Sequence, residues 1–168
     1  MQQHSIHPWP RAKSERNHSL RKFGGHPPGR RCAEAAYPAF CLEHHSLYSQ
    51  FAAAVTGSTS SGRRLARAAL EELAAQWLAA LRSPSPSGFA WALLADTIAP
   101  YRTGSARTLY RNFHVAEADA LLLRHRLGCS VTEAGRVMGM SPDAFELLWR
   151  RALMNATNAR HMPASDAI

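Results

Sequence analysis

Lysine is nearly absent from this chain: Lys13 and Lys22 are the only two in 168 residues, and arginine carries the rest of the positive charge. Cysteine is scarce as well. Cys32, Cys41 and Cys129 are odd in number and widely spaced, which excludes a disulfide framework. No apolar run approaches the roughly 18 residues needed to cross a bilayer. The first residues lack the uninterrupted apolar stretch of a secretory signal. A cytoplasmic protein with reduced thiols and no membrane contact is the expectation. What remains is a globular composition, 46% apolar and 19% charged, with a net charge of +8.

That charge is unevenly placed. Residues 1–34 hold Arg11, Lys13, Arg16, Arg21, Lys22, Arg30 and Arg31 against only Glu15 and Glu34, whereas residues 114–168 are neutral. The basic stretch is rich in Pro, Gly, His and Ser and has no sustained period, so it reads as a disordered basic arm.

From Tyr37 onward the apolar residues recur three and four apart and never alternate, which predicts helices and no strands. The first helix is expected from about Pro38 to Val55, the second from Gly62 to Leu81, the third from Ser87 to Ala99. Short loops at Thr56-Gly57-Ser58 and Ser83-Pro84-Ser85-Pro86 join them into an antiparallel three-helix bundle. Phe89 and Trp91 read as core. Residues 101–114 read as a polar linker. Beyond it, Ala116–Leu127 forms a short helix. Ser130-Val131-Thr132-Glu133 has capping-box spacing, and Gly139-Met140-Ser141-Pro142 reads as a turn that ends in an N-cap with proline at the first helical position. Phe145, Trp149 and Ala152 give the following helix a buried stripe. The expectation is an all-α fold of two small helical modules: a bundle over 35–100 and a helix-turn-helix over 115–156, flanked by the arm and by a flexible tail at 157–168.

Chemistry is scarce. His44 and His45 are neighbours and diverge by about 100° on a helix, so they do not pair as metal ligands. No phosphate-binding glycine loop follows a strand, and no catalytic residue, cofactor or metal site is expected.

The stretch Ala120-Leu121-Leu122-Leu123-Arg124-His125-Arg126-Leu127-Gly128-Cys129-Ser130-Val131-Thr132-Glu133-Ala134-Gly135-Arg136-Val137-Met138-Gly139-Met140-Ser141-Pro142 resembles region 4 of RNA polymerase sigma factors of the extracytoplasmic-function type. Phe40, His44, Leu47-Tyr48, Phe51-Ala52, Thr56-Gly57-Ser58 and Trp91 resemble their region 2. The resemblance implies a non-enzymatic transcription protein that recognises promoter DNA through its last helix in association with RNA polymerase core, with an anti-sigma protein as a further partner. It implies a recognition surface of Ser141, Asp143, Ala144, Glu146, Leu147, Leu148, Arg150 and Arg151. Leu148 stands where the family usually has arginine, and Asp143 and Glu146 bring negative charge to that face. Glu146 has the chemistry to accept from a cytosine amino group. The second helix begins Arg63-Arg64, where the family offers acidic residues to polymerase. A sigma-like module that binds proteins and not DNA is the alternative reading.

Overall fold

The computed structural model describes residues 28–161, with side chains over 35–157. The protein is all-α, and among the described residues there is no strand. Seven α-helices follow one another among the described residues: α1 (Pro28–Thr56), α2 (Thr59–Arg82), α3 (Pro86–Ile98), α4 (Gly104–Asn112), α5 (Val115–Leu121), α6 (Val131–Met138) and α7 (Pro142–His161). A wide π turn, Leu122–Arg126, extends α5. No described helix is long and apolar enough to cross a membrane.

Two expected boundaries are corrected at the ends. The helix expected to begin at Pro38 begins ten residues earlier, so residues 28–34 of the supposed arm belong to α1. Pro38 forfeits one amide inside that helix, a local cost. It is offset by packing on either side: the Tyr37 and Phe40 rings lie 5.5 and 5.2 Å from Trp77 on α2, and the Tyr37 hydroxyl donates to the Leu70 carbonyl. At the other end, residues 157–161 continue α7 and are not tail. Residues 1–27 of the arm and 162–168 of the tail lie outside the described residues.

α1 and α2 form the main antiparallel pair. They approach most closely at Gly62, where a Cβ would stand 2.5 Å from the Ala53 amide nitrogen. An aromatic file runs down α1 through Tyr37, Phe40, His44, Tyr48 and Phe51 and meets Trp77 and Trp91 from α2 and α3. Trp91 is core, as its spacing suggested, and Phe89 packs against that core half-buried.

The expected linker is the third correction. Residues 104–112 are helix α4, with Ala106 buried and Leu109 and Tyr110 packed on the core, the i, i+3, i+4 spacing of an amphipathic turn. A buried carboxylate fastens it. Asp119 on α5 is 2% exposed and accepts from the Trp91 indole N–H at 3.0 Å and the Tyr110 hydroxyl at 2.5 Å. The Arg102 guanidinium stacks 3.7 Å from the Tyr110 ring centre. Three helices, α3, α4 and α5, therefore share one polar node. Ala134, Val137, Met138 and Phe145 belong to the same buried cluster as Tyr48, Leu73 and Leu94. The C-terminal helices are packed on the bundle.

Buried ionisable groups give the fold opposing responses to acid. Burial pushes the Asp119 carboxyl up to about 6, so its contribution is greatest near and below its ordinary value of 3.8 and fades as pH rises through 6. Burial lowers the His44 imidazole from 6.5; its Nδ1 lies 2.9 Å from the Phe40 carbonyl. Folding then favours neutral His44, and its contribution is present above 6.5 and lost as pH falls below that value. His44→Phe is expected to lose less stability than the wild type between neutral pH and mild acid, measured by urea unfolding at both. A constant difference between the two proteins would contradict this.

Candidate nucleic-acid interface

The helix-turn-helix forms because each of its breaks is locally dictated. At the start of α6 the Ser130 hydroxyl accepts from the Glu133 amide at 3.1 Å, the N-cap half of a capping box. α6 ends at Gly139, whose φ of 73° is left-handed. The Met140 amide then donates to the Gly135 carbonyl at 2.9 Å and closes the turn. A Cβ at Gly139 would stand 2.1 Å from the Gly88 nitrogen at the start of α3. Both its conformation and its contact therefore exclude a side chain. Ser141 caps α7 by accepting from the Ala144 amide at 3.2 Å, and Pro142 occupies the first helical position.

α7 packs against both α5 and α6, which decides where the eight expected recognition residues point. Ser141, Asp143, Ala144, Leu147 and Arg150 are exposed and Glu146 is half-buried. These six lie together on one outward face, and four of them (Asp143, Glu146, Leu147 and Arg150) border a shallow concavity of about 230 Å³. Leu147 is 69% exposed despite its apolar side chain.

Of the other two, Leu148 is a correction and Arg151 is exposed but engaged by a partner. Leu148 is 9% exposed and joins the core with Phe145 and Ala152, so it stands where no phosphate reaches. Arg151 turns toward α5. Its Nε donates to Glu117 Oε1 at 2.8 Å, and Asn155 Nδ2 adds bonds of 3.2 and 3.3 Å to the two carboxylate oxygens. Glu117 is 1% exposed, and an unpaired carboxylate there would be costly. Burial raises the Glu117 carboxyl, but the Arg151 and Asn155 bonds outweigh it and hold the group below its ordinary value. Arg151 stays exposed, with 61% of its side chain open to solvent, while its Nε serves as the counterion of Glu117. Asn155, which completes that cluster, carries no local sequence signal, since its partner lies 38 residues away.

Because Leu148 is internal, Leu148→Arg does not restore a family-like phosphate contact. It is expected to cost about 2 kcal/mol in urea unfolding, as the guanidinium must leave the core or drag it open. A gain in DNA affinity at unchanged stability would contradict that placement.

Few cations remain for phosphates. Arg136 pairs with Glu43 on α1, and Arg150 pairs with Glu146 one turn away. The Arg124 guanidinium lies 4.9 Å from the Trp149 ring centre and donates to the Cys129 carbonyl. The outward face of α7 therefore carries Asp143 and Glu146 against Arg150, with the neighbouring Arg151 exposed but held by Glu117. The Glu146–Arg150 pair is exposed, so releasing Arg150 costs less than about 1 kcal/mol. Among the described residues no group of three His, Cys, Asp or Glu side chains is placed to hold a metal. Comparison with protein-family models, with curated proteins and with solved structures gives no match to this chain.

Proposed function

We propose that this chain is a sigma-factor-like transcription protein of the cytoplasm that meets promoter DNA with the outward face of α7 while RNA polymerase core holds it in place. One observation carries the reading: α6 and α7 are separated by a left-handed glycine turn, and the first two turns of α7, packed inward through Phe145 and Leu148, present Ser141, Asp143, Ala144 and Leu147 on an exposed outer face. A helix so placed is shaped for a major groove. Its charge explains why a second protein is needed. Phosphate neutralisation supplies a large share of the affinity of DNA-binding proteins, and a face with two carboxylates and arginines tied to Glu146 and Glu117 has little of it. Polymerase supplies the hold; Glu146 and Arg150 supply contacts to bases.

Promoter-library binding followed by polarisation, with and without core polymerase, tests this. Specific retention is expected only with polymerase. Glu146→Lys frees Arg150 and adds a cation, so it should raise affinity and steepen the salt dependence of log K by roughly one to two. Absence of any retained sequence under both conditions would contradict the reading.

One observation favours a second reading, in which the same face docks a regulatory protein of the anti-sigma kind. Leu147 and Met154 are 69% and 59% exposed on α7, more apolar surface than a solvated helix face needs. Leu147→Asp would then abolish a protein complex and leave DNA binding absent before and after.

A further inference from the structure

A second charged surface lies away from α6 and α7. A groove of about 630 Å³ opens between the middle of α1, the start of α2 and the end of the π turn, lined among others by His45, Ser49, Ser58, Thr59, Arg63 and Arg126. We propose that this groove binds the phosphate groups of a small polyphosphorylated anion.

Charge is the first support. Arg63 and Arg126 come from segments 63 residues apart in sequence and line one concavity with His45, and no carboxylate lines it. Among the described residues neither arginine has an ion-pair partner, whereas Arg136, Arg150 and Arg151 each have one. Cations gathered in a concave wall repel one another and focus a positive potential into it, which an anion relieves. Hydrogen bonding is the second support. The Arg63 and Arg126 guanidinium groups are exposed at the groove, and arginine forks match phosphate oxygens. The 24-residue helix α2 begins at the groove, since Ser58 and Thr59 line it, and adds the positive end of its dipole. The π turn matters here because it ends at Arg126 and carries that side chain to the groove.

The lining also narrows the ligand. Apart from the His45 imidazole no aromatic ring lines the groove, so a base has no stacking platform there and recognition is of the phosphates. A concave site of this volume suits a compact, multiply charged molecule better than a duplex backbone, whose phosphates follow a convex surface.

Titration calorimetry of the full chain with pyrophosphate, at fixed ionic strength, tests the assignment. Arg63→Gln with Arg126→Gln is compared with Arg67→Gln and Arg111→Gln, an equal charge loss at exposed positions outside the groove. The groove pair should weaken binding at least about tenfold, the value of a lost charged contact, and the control pair should leave it unchanged. Equal loss in both pairs would mean diffuse attraction to a basic protein and would overturn the proposal. So would absence of pyrophosphate binding, or a single-stranded oligonucleotide that binds through Arg63 and Arg126 while pyrophosphate does not. All four arginines are exposed, and circular dichroism confirms that each variant is folded before titration.

Discussion

Gly139→Ala is expected to destabilise the protein by about 3 kcal/mol, a fall of roughly 10 °C in Tm. Two costs add. A left-handed backbone charges an L-residue about 1–2 kcal/mol. The new methyl must also displace backbone, because the Gly88 nitrogen and Cα lie 2.1 and 2.4 Å from the position a Cβ would take, with the Ser85 hydroxyl at 2.3 Å. Backbone at the start of α3 has no rotamer to give way, so overpacking contributes about 1–3 kcal/mol more. Gly128→Ala separates the two costs. Its φ of 69° is equally left-handed, but nothing lies within 4 Å of a Cβ there, so only the conformational part applies. Thermal unfolding of the pair should show Gly139→Ala as much the more damaging. Equal losses would mean that the turn does not touch α3.

The second large effect is expected at Asp119→Ala. It strands the Trp91 indole N–H and the Tyr110 hydroxyl, two donors that converge on one buried carboxylate. Each buried orphan costs about 1–3 kcal/mol. Relief from burying the carboxylate returns part of that, and the net loss should be about 3 kcal/mol. Limited proteolysis gives the structural readout. Residues 101–114 should resist cleavage in the wild type and be cut early in Asp119→Ala, because Tyr110 is α4's bond to α5. Early cleavage in both would mean that the segment is a free linker.

Local punctuation was legible in the sequence. Gly57 and Gly139 do take left-handed φ values of 71° and 73°, and Ser130 and Ser141 do cap α6 and α7. Each of these depends on residues within four positions of one another, where side-chain chemistry and backbone conformation are directly coupled. The failures have a different origin. Pro38 reads as a helix start, but packing of Tyr37 and Phe40 on Trp77 carries α1 through it. α4 reads as a polar connector because Asp119, which holds it, lies nine residues beyond Tyr110. The resemblance places Leu148 outward, although its spacing of three from Phe145 puts it on the inner stripe that α7 turns toward α5 and α6. Arg151 is exposed as expected, but its pairing with Glu117, 34 residues away, has no local signal. The Arg63–Arg126 groove is likewise a product of tertiary structure, with no motif in either segment.

The six residues that do face outward on α7 are the core of the functional reading, and Leu147 is the large apolar side chain among them, 69% exposed. Leu147 replaced by a benzoyl-phenylalanine photocrosslinker, irradiated in a mixture of core polymerase and promoter fragments, reports directly on what meets that face. The expected result is a crosslink to promoter DNA that requires polymerase and is competed by unlabelled promoter. Crosslinks to protein alone, with none to DNA at any polymerase concentration, would contradict promoter recognition by α7.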